Sequence, residues 1–375
     1  MTPRQAFTGA RIFDGSTLWD DHALLVSQTG TTQLVAPHAV PDGCPVTALN
    51  GGVVSPGFVD LQVNGGGGVM FNDSPDVETL TVMATAHQSL GTSAFLPTLI
   101  TDTPDQTRAA ITAVRQALGQ NIPGICGLHL EGPHLSVARK GAHDATLVRS
   151  MTADDLAMLL EAADHIDTLM VTVAPENVTT AQITALSKAG VIVSLGHSDC
   201  VYDTAMRAFD AGAACATHLF NAMSQATARE PGLVGAALDH DTVSSGLIAD
   251  GVHVHPAMIR AALAANKGPG EVFLVTDAMA TAGSDITSFT LNGRVISRAG
   301  GRLTLADGTL AGADLTLPQA VRYMVDVVGT PLTDALARAT TFPAALLRTA
   351  HDTAHAHSMI WLSDDFTRCR WLTDL

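Results

Sequence analysis

Residues 168–197, TLMVTVAPENVTTAQITALSKAGVIVSLGH, contain the repeating unit that decides the fold. The segment begins with the apolar run 168–173, continues through the amphipathic stretch 180–188 and ends in a second apolar run at 191–195. Short β-rich runs separated by a helical stretch are typical of a β/α/β unit with parallel strands. A polar residue, His197, follows the second strand.

The same alternation of strand and helix occurs along most of the chain. The pattern predicts eight strands, at residues 54–63, 93–99, 125–131, 168–173, 191–195, 214–219, 246–249 and 272–276. Helical stretches lie between them, for example at 77–90, 107–118, 153–162 and 256–265. Eight such units favour an α/β fold in which residues 53–345 form a closed TIM-type (β/α)8 barrel.

The two terminal segments have a different pattern. Residues 1–52 and 346–375 contain short strand-like runs and turn signals. We expect them to form the two halves of one small β domain. The C-terminal half is short, and its histidine-rich run HDTAHAH, residues 351–357, is interpreted as solvated or as a packing element.

The composition disfavours several classes of protein. The chain has 375 residues, with 36 acidic and 20 basic side chains and a net charge of -16. Such a charge repels nucleic-acid backbones and anionic membranes. No apolar run reaches the roughly 18 residues of a membrane span, and the start lacks a signal peptide, so a cytoplasmic location is expected. The five scattered cysteines are expected to be reduced and mostly buried.

Three polar residues follow predicted strands at positions that a barrel would bring together. Glu131 ends the third strand, His218 lies at the end of the sixth, and His197 follows the fifth. One carboxylate and two imidazoles suit a borderline divalent ion such as zinc, with open coordination for water. Each histidine alone is better explained as a core or capping residue. Their matching positions favour a metal site.

Asp277 follows the eighth strand in the sequence LVTDAM. By itself it is equally consistent with a cap on the next segment and with an acid/base group. Beside a metal ion that lowers the pKa of water to about 7, the acid/base interpretation is favoured.

Loops at the same rim contain candidate ligand-binding residues. The irregular stretch 129–144 could position His143 over a ligand. Asn221 and Arg229 follow the sixth strand, and His253 follows the seventh. Arginine suits bidentate phosphate recognition, although a surface ion pair of Arg229 with nearby Glu230 or an aspartate is the alternative.

Several stretches together resemble the N-acetylglucosamine-6-phosphate deacetylase family of the amidohydrolase superfamily. They are PGFVDLQVNGGGG, HLEGPH followed by KGAHD, SLGHSD, THLFNAM, REPGL, ADGVH and LVTDAM, in that family's order. The resemblance implies a metal-dependent barrel with a small β-sandwich built from both termini. It also implies hydrolysis of the acetamide of N-acetyl-D-glucosamine 6-phosphate to D-glucosamine 6-phosphate and acetate, in amino-sugar catabolism or recycling.

The resemblance also implies roles for individual residues. Glu131, His197 and His218 would hold the metal, and Asp277 would be the catalytic acid/base, with His143 stabilising the oxyanion. The residues expected around the sugar phosphate are Ala142, His143, Asn221, Ala222, Arg229 and His253, with a loop of Leu310, Ala311 and Gly312 near the substrate. Arg229 and His253 would contact the phosphate, partly across the interface of a homodimer.

The first strand departs from the wider superfamily, which usually has His-x-His where this chain has Gln62 and Asn64. Neutral amides are poor zinc ligands. We therefore expect one divalent ion per subunit, zinc first, with iron, manganese and cobalt as alternatives. Two other interpretations stay open. One is an enzyme that cleaves amides of carboxylate-bearing substrates, such as a D-aminoacylase or a dihydroorotase-like cyclic amidase. The other is a barrel that has lost catalysis and serves as a scaffold.

Overall fold

The computed structural model describes residues 3–349 and 352–375 of the chain. Its centre is an eight-stranded parallel sheet that curves into a nearly closed barrel. From the first to the eighth, the barrel strands are Phe58–Val63, Thr92–Ile100, Leu128–Glu131, Leu169–Val173, Ile192–Leu195, Cys215–Ala216, Ser244–Leu247 and Val272–Leu274. Each strand pairs with the preceding one in the chain, so the predicted (β/α)8 barrel is confirmed.

Helices alternate with the barrel strands and pack their apolar faces on the sheet. Buried residues of the second helix, Ala110, Val114 and Ala117, recur at helical spacing. The α-helices of the described residues are Val77–Ser89, Pro104–Gly119, Ala153–Ala163, Thr180–Lys188, Tyr202–Asp210, Gly232–Asp239, Pro256–Ala265, Leu317–Tyr323, Leu332–Ala339 and Thr341–Ala344. None of these helices combines the length and the apolarity needed to cross a lipid bilayer.

One buried carboxylate joins the first and eighth barrel strands. Asp60 Oδ1 accepts hydrogen bonds from the backbone N–H groups of Thr276 and Gln62, both at 3.2 Å, and the Thr276 hydroxyl donates to Oδ2. Burial raises the pKa of Asp60 to about 7. This junction places the side chains at the end of the first strand beside Asp277, which follows the eighth.

The terminal segments form two further sheets. One contains Thr32–Val35, Ala23–Ser27, Pro3–Thr8 and Val46–Ala48, and the other contains Cys369–Trp371, Met359–Leu362, Val53–Pro56, Arg11–Phe13 and Leu18–Trp19. Because Met359–Leu362 pairs with Val53–Pro56, the C-terminal segment completes a sheet begun near the N-terminus. The predicted strand at 54–63 is therefore two strands, one in this sheet and one in the barrel. The domain boundaries at residues 52 and 345 stay predictions.

Two features of the rim were not predicted. A short hairpin, Gly65–Gly66 and Val69–Met70, follows the first barrel strand. A four-stranded antiparallel sheet follows the eighth and consists of Ser288–Leu291, Arg294–Ala299, Arg302–Thr304 and Leu310–Ala313. We call the latter the inserted sheet.

The inserted sheet corrects one expectation about the rim. Leu310, Ala311 and Gly312 were expected in a loop, but they lie on its last strand. The run LAGA is too short and too poor in β-branched residues to be recognised as a strand. It is fixed in place because the Ala313 N–H donates to the Asp277 carbonyl oxygen at 3.0 Å. The inserted sheet is therefore attached directly to the backbone of the candidate acid/base residue.

All five cysteines are unpaired, as expected for reduced thiols. Cys200 and Cys215 are buried, whereas Cys44, Cys126 and Cys369 are partly exposed. Burial nevertheless raises the pKa of the Cys126 and Cys369 thiols to about 12, so these sulfur atoms are shielded although part of each residue is exposed. Four of the five thiols are therefore buried, as expected.

Asp155 anchors the long segment between the third barrel strand and helix Ala153–Ala163. Its carboxylate accepts hydrogen bonds from the N–H and hydroxyl groups of Thr152, at 2.9 and 2.7 Å, and pairs with Arg149. The Arg149 carbonyl oxygen in turn lies 3.1 Å from Nδ1 of His134. Burial alone would raise the pKa of Asp155, but the hydrogen bonds from Arg149 and Thr152 outweigh it and lower the pKa.

We predict that Asp155→Ala lowers the free energy of unfolding by about 2 kcal/mol at pH 7, through loss of the helix cap and the half-buried ion pair. Because the pKa of Asp155 is lower in the folded chain, this contribution is present above the unfolded pKa of roughly 4 and is lost as the pH falls further. Urea denaturation at pH 7 and at lower pH measures the difference. Asp154→Ala, in the same helical turn, is the control. Equal destabilisation by the two variants would contradict the prediction.

Candidate active site

A cavity of about 370 Å³ opens at the carboxyl ends of the barrel strands. Most of the predicted site residues line it, namely Glu131, Ala142, His143, His197, His218, Asn221, Ala222, His253, Asp277, Leu310 and Gly312. Ala311 is buried and Arg229 is exposed, and neither is among the lining residues. The structure therefore brings residues from distant parts of the chain to one site.

The three predicted metal ligands converge at the centre of this cavity. Glu131 Oε1 lies 3.2 Å from Nε2 of His197 and 3.0 Å from Nε2 of His218. The two Nε2 atoms are 3.0 Å apart. All three side chains are buried. Each comes from or directly after a different barrel strand, so barrel formation assembles the cluster.

The hydrogen-bond partner of His197 shows which of its ring nitrogens is free to bind a cation. Nδ1 of His197 lies 2.8 Å from the Arg139 carbonyl oxygen, which can only accept, so Nδ1 carries a proton. Nε2 of the neutral ring then presents a lone pair to the Glu131 carboxylate. Two acceptor atoms at this separation repel unless a proton or a metal cation lies between them. The donor set therefore fits a divalent cation.

The close contact of Glu131 with the two histidines also shifts the pKa values of the cluster. Burial alone would raise the pKa of Glu131, but protons shared with His197 and His218, which take the place of a cation between these atoms, outweigh it and hold the pKa well below its usual value. Burial alone would lower the pKa of His218, but the Glu131 carboxylate outweighs it and raises the pKa. The site thus attracts positive charge into a buried position.

His143 is a fourth group within reach of this centre. One ligand atom each from Glu131, His143 and His197 lie within 4.8 Å of one another. Nε2 of His143 is 4.0 Å from Glu131 Oε2, and its Nδ1 is 2.8 Å from the Thr101 hydroxyl. Burial, and then the nearby His197, hold the pKa of His143 well below its usual value, so the ring is neutral. The presence or absence of a proton on Nε2 therefore decides whether His143 acts as a hydrogen-bond donor or as a metal ligand.

Asp277 is held beside the cluster by two amides that the sequence analysis considered only as missing ligands. Asn64 Nδ2 donates to Asp277 Oδ1 at 2.6 Å. Gln62 Nε2 donates to the same oxygen at 3.2 Å and to Glu131 Oε1 at 3.1 Å. Burial, and then the negative charge of Glu131, raise the pKa of Asp277 to about 6. Gln62 and Asn64 therefore position the carboxylates, a role that their alternation on the first strand could have indicated.

The backbone at these strand ends is strained. His197, His218, Ala222 and Asp277 have φ angles of 46°, 32°, 48° and 52°, in the left-handed region that non-glycine residues rarely adopt. Such outliers cluster at functional sites because the surrounding structure must hold them. At Gly312, φ is 64° and a Cβ would lie 2.8 Å from the Asp277 carbonyl oxygen. Glycine is therefore required where the inserted sheet meets the site.

The two residues predicted to contact phosphate, His253 and Arg229, lie in different surroundings. His253 lines the cavity, with Nδ1 2.6 Å from Asp250 Oδ2. Arg229 is exposed and makes no ion pair with any residue of the described ranges. Glu230, its expected alternative partner, instead accepts from the backbone N–H groups of Tyr202 and Gly232. The ion-pair alternative for Arg229 is thus not formed, and its contact with phosphate stays a prediction.

Two other features bear on the predictions for this site. Arg139, which the sequence analysis did not select, lines the cavity and donates from Nε to Asp199 at 2.8 Å. The described residues of the histidine-rich run, 352–357, do not line this cavity. Nδ1 of His355 and Nε2 of His357 lie 3.0 and 3.3 Å from Asp352 Oδ2. His351 of that run is outside the described residues.

Comparisons with known proteins agree with this geometry. The model of the amidohydrolase family matches residues 53–354. The N-acetylgalactosamine-6-phosphate deacetylase of Shewanella sp. (strain ANA-3) is 41% identical over 95% of this chain and 91% of its own length. The N-acetylglucosamine-6-phosphate deacetylase of Haemophilus influenzae is 38% identical, covering 86% of this chain and 84% of its own.

Among solved structures, the crystal structure of N-acetylglucosamine-6-phosphate deacetylase from Pasteurella multocida is similar to this chain over nearly its whole length. The TM-score is 0.89, the sequence identity is 36%, and the match covers 96% of each chain. With the family match to residues 53–354 and relatives of this identity, the chain belongs to the amidohydrolase family.

Proposed function

We propose that this chain hydrolyses the acetamide of N-acetyl-D-glucosamine 6-phosphate to D-glucosamine 6-phosphate and acetate. The observation that carries the proposal is the position of Asp277 in the same cavity as Glu131, His197 and His218. A buried cation site beside a carboxylate with a pKa of about 6 is suited to amide hydrolysis near neutral pH. The similarity to deacetylases of amino-sugar phosphates supports this substrate class.

Glu131, His197 and His218 would hold one divalent ion, with zinc as the first choice and iron, manganese or cobalt as alternatives. When bound, the ion supplies Lewis-acid charge that polarises the amide and lowers the pKa of water. The choice of one ion is supported by Gln62 and Asn64, whose amides donate hydrogen bonds to carboxylates at the position of the missing histidines.

Asp277 would carry the proton in both halves of the reaction. As a carboxylate, it removes a proton from the attacking water while the oxygen adds to the acetamide carbonyl carbon. It then returns that proton to the nitrogen as the carbon–nitrogen bond breaks, so the amine and acetic acid form, and the acid ionises to acetate at neutral pH. His143 would donate a hydrogen bond to the carbonyl oxygen as negative charge develops there.

His253 and Arg229 would bind the phosphate and so orient the amide. His253 lines the cavity, and its ring is held by Asp250. Arg229 is exposed and outside the lining of its own cavity. A homodimer in which Arg229 reaches the partner's cavity would reconcile these positions. We propose this homodimer together with a cytoplasmic location.

N-acetyl-D-galactosamine 6-phosphate is a second candidate substrate. The Shewanella relative, at 41% identity, is named a deacetylase of this sugar phosphate. The two sugars differ only in the configuration at C4, so the amide and the phosphate would occupy the same positions.

Release of acetate from both sugar phosphates by the purified protein tests the proposed function. We expect the larger kcat/KM with N-acetyl-D-glucosamine 6-phosphate. A larger value with the galactose epimer would move the assignment to the second candidate. Activity confined to N-acyl-D-amino acids or dihydroorotate, or no activity at all, would overturn the proposal.

We predict that Asp277→Asn lowers kcat by about two orders of magnitude or more and leaves the metal content unchanged, because the amide cannot accept the proton. In the original chain, kcat/KM should fall at low pH, since protonation of Asp277 removes the base, and a bound cation should move this fall below the pKa of about 6 that the ion-free site gives Asp277. Initial rates between pH 5 and 8, with metal analysis of both proteins, provide the measurement. Turnover close to that of the original chain would exclude Asp277 as the acid/base.

We predict that Arg229→Ala raises KM for the phosphorylated substrate by roughly tenfold or more, the scale of a charge-assisted hydrogen bond. It should spare the slow cleavage of unphosphorylated N-acetyl-D-glucosamine. Arg115→Ala, at an exposed position on a barrel helix, is the matched control. Equal losses with both substrates would make Arg229 a structural residue.

A further inference from the structure

Two histidines at the centre of the site have hydrogen-bond partners of opposite kinds. Nδ1 of His197 faces the carbonyl oxygen of Arg139, an acceptor. Nδ1 of His143 instead faces the backbone N–H group of Thr101 at 3.3 Å, a donor. The first ring therefore carries its proton on Nδ1, and the second must carry it on Nε2.

Thr101 makes a second contact with the same nitrogen. Its hydroxyl oxygen lies 2.8 Å from Nδ1 of His143, and the side chain is fully buried at the end of the second barrel strand. The hydroxyl has a second, longer contact with the Glu131 carbonyl oxygen at 3.4 Å. Because the backbone N–H group can only donate, Nδ1 accepts from it, and the hydroxyl then donates to Nδ1 over the shorter distance. Thr101 thus offers two donors to one nitrogen and disfavours a proton there.

The surroundings of Nε2 favour the same arrangement. Nε2 of His143 points toward Glu131 Oε2, at 4.0 Å. A proton on Nε2 is attracted to that carboxylate, whereas a lone pair would be repelled. The neighbouring backbone is also fixed, because the Arg294 guanidinium on the inserted sheet donates to the Ala142 carbonyl oxygen at 2.5 Å. The ring therefore has a defined position and a defined donor.

We propose that Thr101 is a positioning residue that holds His143 in the tautomer with the proton on Nε2. In this tautomer the nitrogen that faces the centre has no lone pair, so His143 is excluded from the metal ligands. The Nε2–H group of His143 is then available to the carbonyl oxygen of the substrate. This inference rests on the proposed function for its catalytic consequence, and on hydrogen-bond geometry for the tautomer.

Kinetics of Thr101→Val provide the first test. Loss of the hydroxyl leaves Nδ1 with only the longer contact, so we expect kcat to fall on the order of tenfold, the effect of one hydrogen bond, with KM nearly unchanged. Thr101→Ser should restore kcat to within about threefold, because it keeps the hydroxyl. The metal content should equal that of the original chain in both variants.

Thr168→Val is the matched control for loss of a buried hydroxyl. Thr168 is equally buried but lies at the amino end of the fourth barrel strand, away from the site, where its hydroxyl accepts from the Arg348 N–H group at 3.0 Å. We expect this variant to lose stability and to retain kcat. An equal fall in kcat for both variants would mean that the loss at Thr101 is structural, and would overturn the inference.

A direct readout of the tautomer separates this inference from the proposed function. ¹⁵N NMR of histidine-labelled protein, metal-free and loaded with zinc, distinguishes protonated from unprotonated ring nitrogens, and His143→Asn identifies the resonance. We expect a proton on Nε2 of His143 in both states, and a mixture of tautomers in Thr101→Val. A proton on Nδ1, or coordination of zinc by His143, would overturn the inference. Absence of deacetylase activity would refute the proposed function without changing this readout.

Discussion

The structure of the site depends on the convergence of Glu131 Oε1 with Nε2 of His197 and His218, at 3.2 and 3.0 Å. In the tautomers that bind a metal, these atoms all offer lone pairs in a buried space, so they require positive charge between them. Bringing these atoms together without a cation is unfavourable. The barrel holds them there, because its strand ends are close together and its backbone keeps both histidines in the left-handed region. A cation turns this unfavourable arrangement into a favourable one.

The hydrogen bonds around the cluster give its two carboxylates different properties. Glu131 lies beside the two imidazoles, and its pKa is lowered. Burial and the negative charge of Glu131 raise the pKa of Asp277 to about 6. Gln62 donates to both carboxylates and so links them. One carboxylate is thus suited to hold a cation and the other to exchange a proton. The Asp60 junction between the first and eighth strands makes this pairing possible.

The sequence was sufficient for the parts of the protein that repeat or that lie at strand ends. Alternating β/α units predict the barrel, and the position of polar residues after apolar strands predicts the cavity residues, including Asp277. The inserted sheet was missed because its strands are short and partly exposed. Thr101 and Arg139 were missed because their roles depend on which groups face them in space, and neither residue type signals that in the chain.

The metal content of the purified protein tests the central claim most directly. Protein made without added metal would be analysed for divalent ions, stripped with a chelator and titrated with zinc while acetate release is followed. The account predicts about one ion per chain and activity that rises linearly to a break at one equivalent. Full activity in the stripped protein, or a break at two equivalents, would contradict a single cation held by Glu131, His197 and His218.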